Sequence, residues 1–174
     1  MAMSTDVEVV AHAIAPTPEI PNNLQCPLLV YPQVVPDPGA DLAAHFEQLF
    51  TENGWPGAWR NGIYSFHHYH STAHEVLGIY RGYVTVQFGG ERGIEVKASI
   101  GDVIVVPAGI AHKRVSSRGF LGVVGAYPDG QTPDLCRAGE IDSATAQSRV
   151  VSVPLPEQDP VCGGRGPLFE HWNR

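Results

Sequence analysis

Hydrophobic and polar positions alternate in different ways along the chain. Residues 7–14 (VEVVAHAI) hold enough β-branched side chains for one strand. The next stretch, APTPEIPNNLQCP, is too rich in Pro and Asn for regular structure and reads as an arm lying over the body of the fold. A short apolar run from Leu28 to Tyr31 precedes PQVVPDPGAD, whose prolines end just before Asp41, a predicted helix N-cap. In LAAHFEQLFTENG the apolar residues Leu42, Phe46, Leu49 and Phe50 share one helical face, and Gly54 with Pro56 stops the element.

From Ile63 the pattern changes to short β-runs punctuated by glycine. The predicted strands are Tyr64 to His70, Glu75 to Tyr80, Tyr83 to Phe88, Ile94 to Ser99, Val103 to Val106 and His112 to Val115, with Leu121 to Tyr127 closing the set. After Pro128-Asp129-Gly130 the pattern weakens. RVVSVPLP, Arg149 to Pro156, reads as a candidate last strand, and DPVCGGRGPLFEHWNR as a glycine-rich tail without periodicity. Strands this short and this regular predict an all-β sandwich or barrel with one helix packed outside.

Composition supports that picture. Among 174 residues are 19 Gly and 15 Pro, which favours chain reversals over long helices. A hydrophobic share of 43% leaves enough apolar surface for a core and argues against disorder. The net charge of −7 offers no counter-charge to nucleic acid or an anionic membrane, so a small molecule or a protein is the expected partner. Cys26, Cys136 and Cys162 are far apart, with no C-x-x-C pair, so neither a disulfide framework nor a thiolate zinc site is indicated. No segment has the run of apolar residues a membrane span needs, and MAMSTDVEVVAHAI lacks a basic n-region followed by a long apolar run. The expected location is cytoplasmic.

The chemistry concentrates in the histidines. His67, His68, His70, His74 and His112 cluster while the other three are scattered. Side chains alternate along a strand, so His68 and His70 project to one face and His67 and Tyr69 to the other. Two imidazoles on adjacent same-face positions can clamp a metal ion, Glu75 can return a carboxylate to that face across a short turn, and His112 can complete the set from a later strand. Three imidazoles and one carboxylate suit one divalent transition metal (Fe, Mn, Ni, Co, Cu or Zn) and leave positions open for a substrate oxygen, water or dioxygen. The same residues would otherwise form a polar barrel interior without a metal, at the cost of a buried carboxylate. His67 and His74, by alternation, are expected at outer or interface positions.

Arg114, two residues past His112, shares its inward face if the strand is regular. It is either a grip for a substrate carboxylate or phosphate or a barrel-mouth arginine paired with an acidic neighbour. Gln87, Tyr64, Phe66 and Tyr127 are further substrate-pocket candidates. The CGGRG run at Cys162 to Gly166 has no Lys and no following helix, so it is not a phosphate cradle.

At this point the chain resembles the cupin superfamily. The motif G-x5-H-x-H-x4-E-x6-G is met by Gly62, His68, His70, Glu75 and Gly82. The motif G-x5-P-x-G-x2-H-x3-N is met by Gly101, Pro107, Gly109 and His112, with Ser116 in place of the final Asn. Longer stretches, HHYHSTAHEVLG, VQFGGE, VVPAGIAHK, VVGAYPDG and DPVCGGRGPL, are similar to a group of single-domain bacterial cupins with no assigned reaction.

The resemblance implies a jelly-roll β-barrel holding one divalent metal on residues matching His68, His70, Glu75 and His112. The expected layout is a single cupin-like domain over 1–174: an arm and helix at 1–60, a barrel core at about 61–128, and a C-terminal strand and tail at 129–174. The expected function is a metal-dependent enzyme on a small polar molecule, dioxygenase-like ahead of isomerase or decarboxylase. The alternative is a non-catalytic binding or sensor module with the metal as anchor. A homodimer is expected, because arms of this type extend a neighbour's sheet.

Overall fold

The computed structural model describes residues 7–36, 39 and 41–173. The first six residues of the predicted arm, and positions 37, 38 and 40 of the proline-rich run, lie outside that set. The elements in chain order are β1 (Val10–Ile14), β2 (Asn23–Tyr31), α1 (Leu42–Glu52), β3 (Trp59–Asn61), β4 (Glu75–Phe88), β5 (Ile94–Ser99), β6 (Val103–Val106), β7 (His112–Ala126), α2 (Ser143–Ser152) and α3 (Leu168–His171). All strand pairs are antiparallel, in the order β1-β2-β6-β4-β7-β3 with β5 on the other part of β4. The fold is all-β, of the jelly-roll barrel kind.

Two long strands carry the barrel. β4 pairs with β7 from Val76↔Ala126 to Phe88↔His112, so each strand crosses the whole barrel. The sequence reading divided each of them in two. In β4 the division falls at Gly82, where the register shifts but the chain does not reverse. Its φ of +79° is a conformation only glycine takes cheaply, and a Cβ there would meet the Phe120 carbonyl oxygen at 2.9 Å. The glycine therefore bends a continuous strand instead of ending it. Ser116, at the motif's Asn position, pairs with Thr85 inside β7, so the strand runs on through it.

Both sheet faces are covered, which explains why β6 reads VIVV with every residue buried. Leu77, Ile79, Ile104, Val106 and Val123 fill the barrel interior. Val76, Val105 and Val124 face outward against Phe46, Phe50, Trp55, Leu168 and Trp172. Asp41 caps α1 as expected, its carboxylate accepting from Ala44 N at 3.0 Å. Phe46 and Phe50 are fully buried and stack on each other, each burial stabilising the fold by roughly 1.5–3 kcal/mol.

Four segments depart from the sequence reading. Tyr64 to His70 is not a strand; it meets its neighbours through isolated bridges, His68↔His112 and Tyr69↔Cys136, and through single main-chain bonds from Arg114 N to Tyr64 O and Gly109 N to His70 O. Asn23 to Pro27, read as irregular arm, belongs to β2, because Asn23 Oδ1 accepts from the main-chain N–H groups of Gln25 and Cys26 at the strand's start. β3 was not foreseen. Arg149 to Pro156 is not a strand: its first four residues end α2, which Asp142 caps at Thr145 N and whose Ala146 and Val150 form the buried i, i+4 stripe. Among the described residues the fold thus carries two helices beyond the one expected.

The glycine-rich tail is held by a buried anion. Asp159 accepts from the Tyr31 hydroxyl at 2.7 Å and from the N–H groups of Val161, Cys162 and Leu168 at 2.8, 3.0 and 3.0 Å. Burial, then the charge of Asp159, keeps the Tyr31 hydroxyl protonated far above the ordinary phenol range. Trp172 closes the seam by donating to the Pro27 carbonyl at 2.9 Å.

Candidate metal centre

His68 and His112 exchange main-chain hydrogen bonds, His68 N to His112 O at 3.2 Å and His112 N to His68 O at 2.9 Å. That pairing turns both side chains to one face, with ring centroids 4.1 Å apart. His70, two residues on, lies 5.8 Å from His68 and 6.0 Å from His112 by centroid. Pro107 to Gly109 fixes where β7 starts: Gly109, at φ +92°, donates to His70 O at 2.7 Å and has room for no Cβ against the Asn22 carbonyl. Glu75 opens β4 on the interior side, with Oε2 3.0 Å from His70 Nε2 and Oε1 3.4 Å from His112 Nε2.

The ring orientations are fixed from behind. Nδ1 of His68 meets Phe66 O at 3.1 Å, Nδ1 of His112 meets Ile110 O at 3.1 Å, and Nδ1 of His70 meets Asp134 O. A carbonyl can only accept, so each Nδ1 carries its hydrogen. Whenever such a ring is neutral, its Nε2 lone pair is left to face the interior. One nitrogen from each of the three rings lies within 4.8 Å of the others. Main-chain carbonyls fixing the tautomer of a ligand histidine are the arrangement metal sites use.

Charge is confined here. His68 is pushed down to about 3 by burial and by neighbouring His112, so it stays neutral. Burial also disfavours protonated His70, but the charge and hydrogen bond of Glu75 outweigh it and raise His70 above its ordinary value. Burial opposes the Glu75 carboxylate, yet His70 and His112 hold it well below the carboxylate range. Glu75 therefore favours a proton on His70, beside neutral His68. A dication is a natural replacement for that proton.

A cavity of about 540 Å³ opens onto the four side chains. Arg114, Tyr64 and Tyr127 line it, while Gln87 and Phe66 do not. Gln87 stands opposite Lys113 on the outer face and donates to Glu91 O at 3.1 Å, and Phe66 stacks behind Tyr64 under the Arg137 guanidinium. The register Val76↔Ala126 brings Tyr127 across from Glu75, and Trp59 Nε1 donates to its hydroxyl at 3.1 Å. Burial and then the charge of Glu75 push the Tyr127 phenol up, so it holds its proton.

His67 lies on the outer face, 3.2 Å from Glu91. His74 lies on the outer side of the barrel wall as expected but is fully buried there: its Nδ1 accepts from Ala108 N at 2.9 Å, and its ring packs 4.8 Å from Trp172, because the C-terminal tail covers that face.

Sequence reasoning missed Asp134. Its carbonyl orients His70, and its carboxylate accepts from Ser71 N at 2.6 Å, from Ser71 Oγ and from Cys136 Sγ at 3.2 Å. Burial opposes that carboxylate's charge, but the Ser71 hydrogen bonds keep its pKa below the usual value. The Pro133-Asp134 pair signals a bend and nothing more, since a main-chain carbonyl leaves no residue signature. Trp59, Asn61 and Leu135 also line the cavity without having been foreseen.

No protein-family model matches the chain. Solved structures similar to it include cupin-fold proteins. One is a DUF861 family protein from Thermotoga maritima, with 24% identity, 48% of this chain and 88% of that one covered, and a TM-score of 0.32. Another is the dTDP-6-deoxy-D-glucose-3,5-epimerase RmlC from Legionella pneumophila, with 13% identity, 70% and 72% covered, and a TM-score of 0.36. A third is the coconut allergen cocosin, with 24% identity and a TM-score of 0.36, where the match covers 44% of this chain and 22% of that one. Among the described residues no helix is long and apolar enough to cross a membrane. The uncharacterized protein YjlB of Bacillus subtilis is 39% identical over 153 residues, spanning 88% of this chain and 90% of that protein. On that match, the chain belongs to the family of YjlB.

Proposed function

We propose that this chain is a metal-dependent cupin-type enzyme acting on a small polar molecule. Nε2 of His68, His70 and His112 and the Glu75 carboxylate would hold one divalent transition metal (Fe, Mn, Ni, Co, Cu or Zn). The observation that carries the reading is that three rings donate Nδ1–H to main-chain carbonyls and offer Nε2 beside one buried carboxylate. When bound, such a metal supplies Lewis acidity or, for a redox-active ion, electron transfer to dioxygen. Dioxygenase-like chemistry ranks ahead of isomerisation or decarboxylation, because this donor set suits Fe(II) and leaves positions open.

The chain's own residues have separable tasks. Glu75 stays ionised and tethers His70 until a cation replaces the proton. Tyr127 holds a proton at Oη next to that carboxylate and can donate a hydrogen bond to an oxyanion formed in the cavity, with Trp59 fixing its direction. Leu77 and Ile63 keep the floor of the cavity apolar. The test is elemental analysis of protein purified without chelators, followed by oxygen-uptake screening with the metal found. A chain that retains less than one equivalent of any of the six metals, even after loading, removes the reading.

A homodimer is part of the same reading: β1 ends the sheet order, so its outer edge is open to a second copy among the described residues. A one-subunit mass by light scattering removes it.

A further inference from the structure

The cavity contains one guanidinium without an internal counter-charge. Arg114 follows His112 by two positions on β7, pairs with Val86, and so shares the interior face with His112 and Phe88. Among the described residues its side chain has no ion pair, hydrogen bond or ring contact, whereas Arg60 is paired with Glu47, and Arg81 and Arg137 lie over aromatic rings. The two acids that line the same cavity are committed elsewhere. Glu75 faces His70 and His112, and the Asp134 carboxylate is taken by Ser71 and Cys136. A half-buried cation facing a cavity, with neither nearby acid in contact with it, is placed to take an anion from outside.

The shape of the site selects among anions. Two residues of strand place the Cα atoms of His112 and Arg114 about 6.6 Å apart, so a molecule of a few heavy atoms can touch the arginine and the histidine cluster together. Among the lining residues Arg114 is the one Lys or Arg, and no helix N-terminus or glycine loop stands by to share a phosphate's charge. A planar carboxylate is the partner that a single guanidinium fork matches with two parallel hydrogen bonds. Tyr64, Trp59 and Leu135 supply an apolar and aromatic wall for the rest of the molecule.

We infer that the substrate is an organic carboxylate, its carboxylate gripped by Arg114 and its apolar body laid against Tyr64 and Trp59, with its reactive end at the histidine cluster. This deepens the proposed function and rests on it for the word substrate. The grip itself belongs to Arg114 and needs no metal.

The experiment is calorimetric titration of benzoate, its neutral isostere benzamide and inorganic phosphate into the wild type, Arg114→Gln and Arg114→Lys, with metal content measured on the same samples. Benzoate should bind saturably and at least tenfold more tightly than benzamide or phosphate. Arg114→Gln should lose at least tenfold of that affinity with wild-type metal content, and Arg114→Lys, which keeps the charge without the fork, should fall between them. Benzamide binding as well as benzoate, phosphate binding better, or no benzoate binding at all overturns the inference whether or not the variants fold. A wild type that holds metal without discriminating removes this inference alone. One that holds no metal yet discriminates through Arg114 keeps it and removes the metal reading.

Discussion

Replacing Glu75 by Gln keeps the side chain's shape and deletes its charge, and the structure identifies the proton that responds. His70 Nε2 sits 3.0 Å from Glu75 Oε2, and that carboxylate is the largest of the effects that overcome burial and raise His70. His68 is already neutral, held down to about 3. A cation settling on the Nε2 atoms must therefore displace a proton from His70 and none from His68. The proton on His70 contributes a tenfold rise in apparent metal affinity per pH unit, about 1.4 kcal/mol, at pH values below its folded pKa, and His68 contributes none.

The sign for the metal-free fold is opposite. Because His70 is raised, its pairing stabilises the folded chain fully below its unfolded pKa of about 6.5 and is lost as pH rises through the folded value. In Glu75→Gln the carboxylate's contribution is gone, so His70 falls from its raised value and its share of the affinity slope moves to lower pH. Histidine ring NMR titration of both metal-free proteins between about pH 5 and 8, where an unperturbed imidazole titrates, reads the first effect. Zinc calorimetry in two buffers of different ionisation enthalpy reads the second. A His70 that titrates identically in the two proteins, or a His68 that takes up a proton in that pH range, refutes the reasoning.

The remaining predictions concern the other ligands and the two loops behind them. His68→Ala or His112→Ala should remove most of the bound metal by elemental analysis while His67→Ala leaves it; equal losses would mean that the outer ring is a ligand. Tyr31→Phe deletes one of four donors to the buried Asp159 carboxylate and should cost roughly 1.5–3 kcal/mol in urea unfolding, and no change would show that Asp159 is satisfied without it. Asp134→Ala frees the loop whose carbonyl holds His70 and should weaken metal binding roughly 10–100-fold, the range for losing an outer partner of a ligand. In the wild type the stability from Asp134 is present above its unfolded pKa of about 3.9 and is lost as pH falls through its lowered folded value, which acid unfolding of the variant beside the wild type measures.

Much of the barrel was legible because its signals are local. Ile94 to Ser99 and Val103 to Val106 were bounded by turn residues and match β5 and β6 end to end. Helix α1 announced itself by Asp41 and an apolar face. What failed was continuity. A glycine inside a strand reads as an end, and only the partner strand tells whether the chain turns or bends; Gly82 bends because both halves of β4 find β7. Arg149 to Ser152 was misread for a related reason. Val150 and Val151 favour strands in isolation, but Asp142 caps the stretch ahead of them, and the buried stripe formed by Ala146 and Val150 prevails.

The four clustered side chains were legible for a different reason from the strands. Their spacing survives although the segment predicted to display two of them is no strand. His68 and His70 still point one way because His68 is pinned to His112 by a pair of main-chain bonds and His70 is pinned to Gly109 and Asp134. Local pairing at two points imposes the alternation that a full ladder would have given. His74, directly before inward-facing Glu75, does face outward, and it is buried between Ala108 N and Trp172 because the tail covers that side, which alternation along the sequence cannot show. The position of each histidine follows from the hydrogen bonds around it. Asp134, which supplies one of those bonds through its carbonyl, was the part of the site that residue identity could not reveal.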